Sequence, residues 1–251
     1  MTDRYQDFRR LHESGCFLLP NPWDAGGAKR LEAKGFQAIA STSAGIAWSL
    51  GRDDYQITLE ECLAHLEVLC AATGLPVNAD FEDGFADSPD GVAANVVRAL
   101  DTGVAGLSIE DRLGAGLYPL EAAADRIRAA KAAIERHAPG AMLVGRTEGF
   151  LTGDRDLADS IARLRAYADA GADILYAPGV ADLADIRRIV EAVAPKPVNV
   201  LISFTPASLS ELAAAGVRRV STGGSLAAAA WAAFDSAADM LLKDGRLPPR
   251  G

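Results

Sequence analysis

A short apolar segment followed by a helical segment repeats eight times along the sequence, and this repetition restricts the fold more than any other feature. Four of the predicted helices end in a glycine just before the next strand: Gly35, Gly103, Gly171 and Gly216. Glycine is favoured there because the residue after the last helical turn often takes a left-handed conformation. Alternating strands and helices form a parallel sheet, and eight such units close naturally into a (β/α)8 barrel. A doubly wound open sheet is the alternative, although it usually contains fewer strands.

The predicted strands span 16–20, 36–41, 76–80, 106–110, 142–146, 173–177, 197–202 and 217–222. A helix at 3–13 precedes them, and the later helices span 24–34, 58–72, 89–102, 119–137, 155–170, 181–194, 206–215 and 225–243. No linker or shift in composition divides the chain. We therefore predict an α/β protein in which residues 1–251 form a single (β/α)8 TIM-barrel domain.

The last predicted helix, 225–243, is rich in alanine and also carries Trp231, Phe234 and Met240. It is apolar on more than one side, whereas an outer helix of a barrel ordinarily needs only one apolar face. This surface either packs closely against its own barrel or is buried against another subunit.

Hydrophobic residues make up 49% of the chain, which supplies a large core, and the formal net charge is −9. Because no basic patch is present, neither nucleic acid nor a membrane surface is expected as a partner. No apolar segment approaches transmembrane length, and the polar start of the chain does not resemble a signal peptide, so a soluble, cytoplasmic protein is expected. The three cysteines have neither disulfide nor zinc spacing and are predicted to pack in the core.

The segment 75–87 begins as an apolar strand and ends in four carboxylates. Asp80 ends the strand and Glu82 follows it, while the next two strands end in Glu110 and Arg146. In a barrel of this kind, function lies on the loops that follow the carboxyl ends of the strands. We therefore expect the three acids and the arginine to meet at one mouth.

Oxygen ligands without histidine or cysteine favour a hard cation, so we predict a Mg²⁺ site, with Mn²⁺ as the alternative. Magnesium commonly takes one or two protein carboxylates and keeps its other positions for water and substrate. Asp80 is the predicted direct ligand. The carboxylates expected to hold the metal-bound waters are Asp54, Glu82 and Glu110.

Two further features of this mouth predict that it binds an anion. Arg146 can bind a carboxylate or phosphoryl group bidentately. The small polar turn 41–45 offers backbone N–H groups that can hold the same kind of oxygen. No Ser-His-Asp arrangement and no Walker or Rossmann glycine motif is found, and the three histidines are placed in the outer layer.

Taken in order, a set of short segments resembles the phosphoenolpyruvate mutase/isocitrate lyase superfamily. The segments are 21–25, 41–45, 50–54, 78–84, 108–111, 145–147, 176–179 and 219–223, and they run through nearly the whole chain. Each segment alone is a weak signal, whereas the ordered set is specific.

The resemblance implies a Mg²⁺-dependent enzyme that cleaves or forms a C–C or P–C bond of a small 2-oxo or 2-hydroxy carboxylic acid through a metal-stabilised enolate. A lyase, a phosphonomutase (an isomerase) or a hydrolase would fit this description. The resemblance also implies a homodimer or homotetramer in which the C-terminal helix is exchanged between neighbouring subunits. Such an exchange would account for the apolar last helix.

By position, the resemblance assigns roles to residues of this sequence. Asp80 matches the direct metal ligand, and the metal-site carboxylates of the outer shell are matched by Asp54, Glu82 and Glu110. The turn that binds the substrate carboxylate is matched by Thr42, Ser43 and Ala44. Arg146 matches the arginine that clamps this carboxylate. The residues expected to be catalytic are Arg146, Glu110 and Asp54.

The loop after the fourth strand departs from the lyases of the superfamily. Isocitrate and methylisocitrate lyases carry Lys-Lys-Cys-Gly-His there, whereas residues 112–119 read Arg-Leu-Gly-Ala-Gly-Leu-Tyr-Pro. The lack of cysteine, histidine and lysine argues against the cysteine-dependent lyase reaction, and the longer gating loop of the mutases is also missing. A hydrolytic or retro-aldol route is therefore expected, with Arg112, Tyr118 and Glu148 as further candidate participants.

Two other classes of function stay open at this point. In the first, the protein is a catalytically inactive or regulatory binder of small carboxylic acids that retains the metal and anion site. A short loop after the fourth strand is what a loss of catalysis would leave. In the second, the chain is a structural oligomeric barrel, which gives no reason for acids and an arginine to meet at one mouth.

Overall fold

A computed structural model describes residues 3–248 and shows eight parallel strands in a nearly closed barrel, with helices between them, as predicted. The strands are β1 (Phe17–Leu19), β2 (Ile39–Ala40), β3 (Val77–Asp80), β4 (Gly106–Glu110), β5 (Arg112–Leu113), β6 (Gly116–Leu117), β7 (Met142–Arg146), β8 (Ile174–Tyr176), β9 (Val198–Leu201) and β10 (Arg219–Ser221). Strands β5 and β6 form a separate antiparallel hairpin, so the barrel consists of the other eight. The predicted domain limits include residues 1–2 and 249–251, which lie outside the described range.

The helices surround the barrel, apart from α1, which precedes the first strand. They are α1 (Arg4–Glu13), α2 (Ala25–Ala33), α3 (Ser43–Ser49), α4 (Leu59–Ala72), α5 (Pro89–Asp101), α6 (Leu120–His137), α7 (Gly149–Thr152), α8 (Leu157–Asp169), α9 (Leu183–Val193), α10 (Leu209–Ala214) and α11 (Ser225–Asp244), with a short 3-10 helix at Ile202–Phe204. The four glycines that marked helix ends in the sequence all have positive φ, between 87° and 104°. The left-handed conformation expected at these positions is therefore confirmed.

The barrel strands follow the order β1-β10-β9-β8-β7-β4-β3-β2, and each hydrogen-bonded pair in this order is parallel. Between β1 and β2 the ring closes through single contacts instead of a ladder. The amide of Ala40 donates to the carbonyl of Pro20 at 3.0 Å, and Asn21 Nδ2 donates to the carbonyl of Ser41 at 2.7 Å. Because the strands are parallel, all their carboxyl ends meet at the same mouth.

Apolar side chains form two layers on either side of the sheet. Inside the barrel, Phe8 of α1 packs with Phe17, Met142 and other strand residues, and Phe8 is fully buried. The larger cluster lies between the sheet and the surrounding helices and includes Cys62 and Cys70, as predicted for core cysteines. This packing fixes the strands, and hence the side chains at their carboxyl ends.

The structure corrects the secondary-structure prediction at three places, all of them close to the mouth. The turn 41–45, predicted to be irregular, continues into α3, and Thr42 caps that helix by accepting from the amide of Gly45 at 3.2 Å. The β5–β6 hairpin and the short helix α7 were also not predicted. The predicted bounds of β4 and β7 are confirmed, whereas the other six predicted strands are too long, most clearly β2, which covers two residues of the predicted 36–41.

The last helix, α11, leaves most of its apolar surface exposed. Phe234 is 62% exposed and Leu242 89% exposed, and Ala227 is the one buried residue of the helix. Close packing against its own barrel is therefore not observed, while exchange of this helix between subunits stays a prediction. Within residues 3–248, no helix is long and apolar enough to span a membrane.

Candidate active site

Asp80 is held at the end of β3 by the segment that follows β2. Its amide donates to Ser41 Oγ at 2.8 Å, and its Oδ2 accepts from both the amide and the hydroxyl of Ser43 at 2.9 Å. Three hydrogen bonds thus fix the backbone and one carboxylate oxygen of Asp80. The other oxygen, Oδ1, accepts from Arg146 Nη1 at 3.1 Å.

Arg146 joins the carboxylates at the centre of the mouth. Besides Asp80, its Nη1 lies 3.3 Å from Glu110 Oε2, and its Nε lies 2.5 Å from Glu148 Oε1. Burial acts to lower the pKa of Arg146, but the charges of Glu110, Glu148 and Asp80 raise it well above the ordinary value. The guanidinium therefore stays charged and holds three acidic side chains around one point.

Glu82 and Glu110 are buried, and neighbouring groups compensate the negative charge of each carboxylate only in part. Oxygen Oε1 of each has no hydrogen-bond partner within residues 3–248. Burial, followed by the charges of Asp80 and Asp54, raises the pKa of Glu82 to about 8. Burial also raises the pKa of Glu110. Unpaired carboxylate oxygens in a buried place are costly, and a hydrated cation among them would reduce that cost, so these residues fit the predicted Mg²⁺.

The described residues form no preassembled group of three or more acidic, histidine or cysteine side chains that could hold a metal ion. A site with one direct carboxylate, as predicted for Asp80, does not need such a group, since Mg²⁺ usually keeps several waters. The assignment of Asp80, Glu82, Glu110 and Asp54 to the metal stays a prediction.

Asp54 lies at the rim of the mouth, on an exposed loop after α3. Desolvation and then the charge of Asp80 raise its pKa, while the charge of Arg146 lowers it. Its Oδ1 accepts from the amide of Tyr55 at 3.0 Å. The structure thus brings Asp54 within electrostatic range of Asp80 and Arg146, although it makes no hydrogen bond to either.

The predicted substrate-binding turn lies directly beside these groups. Thr42 and Ser43 are buried, and Ala44 lies in the first turn of α3, where backbone amides have no acceptor within the helix. The amide of Ser43, in contrast, is already engaged by Asp80. The turn therefore lies beside Asp80, and its role in binding substrate stays a prediction.

Tyr55, which the sequence analysis did not single out, covers the mouth from the loop after α3. Its hydroxyl donates to Glu148 Oε2 at 3.2 Å, and the guanidinium carbon of Arg112 lies 3.9 Å from the centre of its ring. Burial, and then the charges of Glu110 and Glu148, raise the pKa of Tyr55, so its hydroxyl stays protonated. Its place directly after the Asp53-Asp54 pair was the signal available in the sequence.

The cavity of about 290 Å³ at the mouth is lined by Tyr55, Glu82, Asp83, Glu110, Arg112 and Gly114.

Two buried networks support the loops around the mouth. Asp111 accepts from the amide of Glu148 at 2.8 Å and so connects the loop after β4 to the loop after β7. Arg126 donates to the carbonyl of Asp83 at 2.5 Å and holds the loop after β3. Tyr118, a candidate participant in the sequence analysis, donates to the Asp83 carboxylate at 3.2 Å and stacks with Arg126, so it belongs to this support.

With this geometry established, comparisons with known proteins identify the family. The family model described as phosphoenolpyruvate phosphomutase matches residues 8–242. A Burkholderia cenocepacia J2315 protein, named only as a candidate lyase/mutase, has a solved structure with a TM-score of 0.93 to this chain. It is 47% identical, and the match covers 97% of this chain and 89% of that one.

Two relatives with named activities are more distant. The 2-methylisocitrate lyase of Escherichia coli (strain K12) is 33% identical over 181 residues, which are 68% of this chain and 60% of that enzyme. The structure of an oxaloacetate acetylhydrolase in complex with oxalate has a TM-score of 0.89 and is 26% identical, covering 98% of this chain and 89% of the other. The chain therefore belongs to the phosphoenolpyruvate mutase/isocitrate lyase superfamily, as its ordered motifs predicted.

Proposed function

We propose that the protein is a Mg²⁺-dependent enzyme that cleaves or forms a C–C or P–C bond of a small 2-oxo or 2-hydroxy carboxylic acid. The observation that carries this proposal is the meeting of Asp80, Glu110 and Arg146 at one mouth. Two buried carboxylate oxygens, which have no hydrogen-bond partner in the described part of the chain, lie at the same place. Named relatives are lyases, decarboxylases and mutases, which supports an enzyme of this kind.

In this proposal, Asp80 is the direct metal ligand, and the carboxylates that hold the remaining metal-bound waters are Asp54, Glu82 and Glu110. When bound, Mg²⁺ would supply positive charge near the oxygen of the substrate that becomes negative during the reaction. The pairs that Arg146 makes with acids use Nη1 and Nε. No hydrogen bond involves its Nη2 within residues 3–248, so that nitrogen is free to bind the substrate carboxylate. The backbone of the turn 42–44 would orient the same carboxylate.

The hairpin β5–β6 stands where a longer catalytic loop would otherwise close the site. Its residues include no cysteine, histidine or lysine. This supports a retro-aldol or hydrolytic route that proceeds through an enolate-like intermediate without a cysteine. Glu148 and Tyr55, which are hydrogen-bonded to each other, are the groups placed to hold a proton beside Arg146 and Glu110.

The assembly and location form part of the same proposal. The exposed apolar surface of α11 supports a homodimer or homotetramer in which this helix is exchanged between subunits. The three free cysteines fit a reducing compartment such as the cytoplasm.

Calorimetric titration with Mg²⁺ and oxalate tests the proposal directly. Oxalate carries two adjacent carboxylates, which resemble the carboxylate and the neighbouring oxygen of a 2-oxo acid. Asp80→Asn is expected to weaken Mg²⁺-dependent oxalate binding by roughly 100-fold or more, since outer-shell partners alone typically contribute 10- to 100-fold. Asp87→Ala, an exposed acid of the same segment, is the matched control and should bind as the wild type does.

Equal binding by the wild type and Asp80→Asn would contradict the metal assignment. The catalytic part is tested separately, by turnover of a panel of 2-oxo acids, substituted malates and phosphonates. Oxalate binding without turnover of any member would favour the alternative of an inactive or regulatory binder.

A further inference from the structure

Arg112 lies at the start of the β5–β6 hairpin and lines the cavity at the mouth. Its guanidinium carbon lies 3.9 Å from the ring centre of Tyr55, and its Nε donates to the carbonyl of Gly114 at 3.0 Å. The side chain is thus fixed on one face by an aromatic ring and at one nitrogen by the hairpin backbone.

Arg112 and Arg146, the two arginines at the mouth, differ in the number of carboxylates with which they pair. Arg146 is paired with three carboxylates. Within residues 3–248, Arg112 takes part in no ion pair, and its bond to Gly114 is the one hydrogen bond of its side chain. A guanidinium without a carboxylate partner, in a cavity lined by Glu82 and Glu110, has its charge and both terminal nitrogens available.

Tyr55 positions this available group. Its ring is anchored at the other end, because its hydroxyl donates to the fully buried Glu148 at 3.2 Å. An aromatic ring stacked on a guanidinium contacts the flat face of the cation and leaves the in-plane N–H groups unobstructed. Those N–H groups have the geometry that binds carboxylate or phosphonate oxygens in pairs.

We propose that Arg112 binds a second anionic group of the substrate, at the outer end of the cavity. The inference rests on the proposed function, in which the first carboxylate lies near Arg146, whose Nη1 is 3.3 Å from the Glu110 that lines this cavity. It makes Arg112 the residue that distinguishes acids with an anionic group at each end, such as dicarboxylates and phosphono-carboxylates, from monocarboxylates. A cavity of about 290 Å³ matches a small acid of this kind.

Calorimetry with a matched pair of ligands tests this inference. Malate and 2-hydroxybutyrate share the 2-hydroxy acid end, and malate has a carboxylate where 2-hydroxybutyrate has a methyl group. In the presence of Mg²⁺, the wild type is expected to bind malate about tenfold or more tightly than 2-hydroxybutyrate, which corresponds to one charge-assisted contact. Arg112→Gln should bind both with nearly equal affinity, and Arg112→Lys, which keeps the charge but not the planar edge, should retain part of the preference.

Oxalate is the internal control, since in the proposed function both of its carboxylates bind at the metal and Arg146, which leaves no anionic group for Arg112. Its affinity should change less than about twofold in Arg112→Gln, within the range of a screened distant charge. Arg188→Gln removes an exposed arginine from α9 and should leave all three affinities unchanged. If Arg112→Gln keeps the malate preference, or loses oxalate affinity as strongly as malate affinity, Arg112 is a counterion of the acids and the inference is wrong. If the wild type binds neither oxalate nor malate with Mg²⁺, the proposed function fails and the inference fails with it.

Discussion

The buried carboxylate of Asp111 connects the loops after β4 and β7, and neutralising it is expected to loosen both. Oxygen Oδ2 accepts from Thr147 Oγ1 at 2.8 Å, from the hydroxyl of Tyr167 at 2.6 Å and from Arg163 at 3.3 Å. Oxygen Oδ1 accepts from the amide of Glu148 at 2.8 Å. Asp111 is 1% exposed, so water cannot replace these four donors.

Asp111→Asn preserves the shape of the side chain but replaces one acceptor oxygen with an NH₂ donor. In the better orientation the amide oxygen keeps the three contacts of Oδ2, and the new NH₂ faces the amide N–H of Glu148. Leaving a buried donor unpaired costs about 1–3 kcal/mol, and the bonds that lose a charged acceptor also weaken, so we expect a loss of about 3 kcal/mol. For a chain of this length, that corresponds to a fall in Tm of roughly 6–12 °C.

Urea unfolding followed by tryptophan fluorescence measures this loss, with Thr147→Val as the control that removes a single bond. The control is expected to cost about 1 kcal/mol. Because the Glu148 side chain contacts both Arg146 and Tyr55, Asp111→Asn should also weaken Mg²⁺-dependent oxalate binding. A loss of stability no larger than that of Thr147→Val would refute the four-donor account of Asp111.

Two features away from the mouth give further predictions. Burial against Phe8 and Phe17, and then the charge of Arg219, lower the pKa of His12 from 6.5 to about 3. Because the unfolded histidine still titrates near its ordinary pKa, stability should be lost as the pH falls from about 6.5 towards 3, by about 2 kcal/mol at about pH 5. Urea unfolding near pH 7.5 and pH 5 should show this extra loss in the wild type and not in His12→Leu; equal pH dependence would contradict it. On α11, Phe234→Glu should reduce the oligomer mass measured by light scattering while Ser236→Glu does not, and an unchanged mass in both would argue against α11 as the interface.

The repetition of strands and helices predicted the barrel because the eightfold alternation carries the signal even where one element is short, as in β2 with two residues and α10 with six. The elements that were missed lie outside this alternation and are short as well. Strands β5 and β6 have two residues each, so no alternation of apolar and polar side chains can be seen. Helix α3 has seven residues, which cover less than two full turns, and its cap at Thr42 was the one available signal.

At the site, the position of residues at strand ends was enough to predict which side chains meet. Asp80, Glu110 and Arg146 end three neighbouring strands, and the parallel register places them together. Asp83, one residue beyond Glu82, holds the turn instead, since its Oδ1 accepts from the amide of Phe85 at 2.9 Å. Tyr55 was missed because it reaches Glu148 across the mouth, from a loop whose path the strand pattern does not determine.

The same limit explains why the sequence predicted a substrate-binding role for Arg146 but not how it pairs with three acids. Strand positions put an arginine next to several acids, but they do not say which of its nitrogens meets which oxygen. In the structure, Asp80 and Glu110 share Nη1, and Glu148 takes Nε. A guanidinium has five N–H donors in a fixed plane, so holding these acids and binding a substrate carboxylate through Nη2 are compatible. The acids position the arginine, and Nη2, to which they make no hydrogen bond, is the nitrogen that would bind a substrate carboxylate.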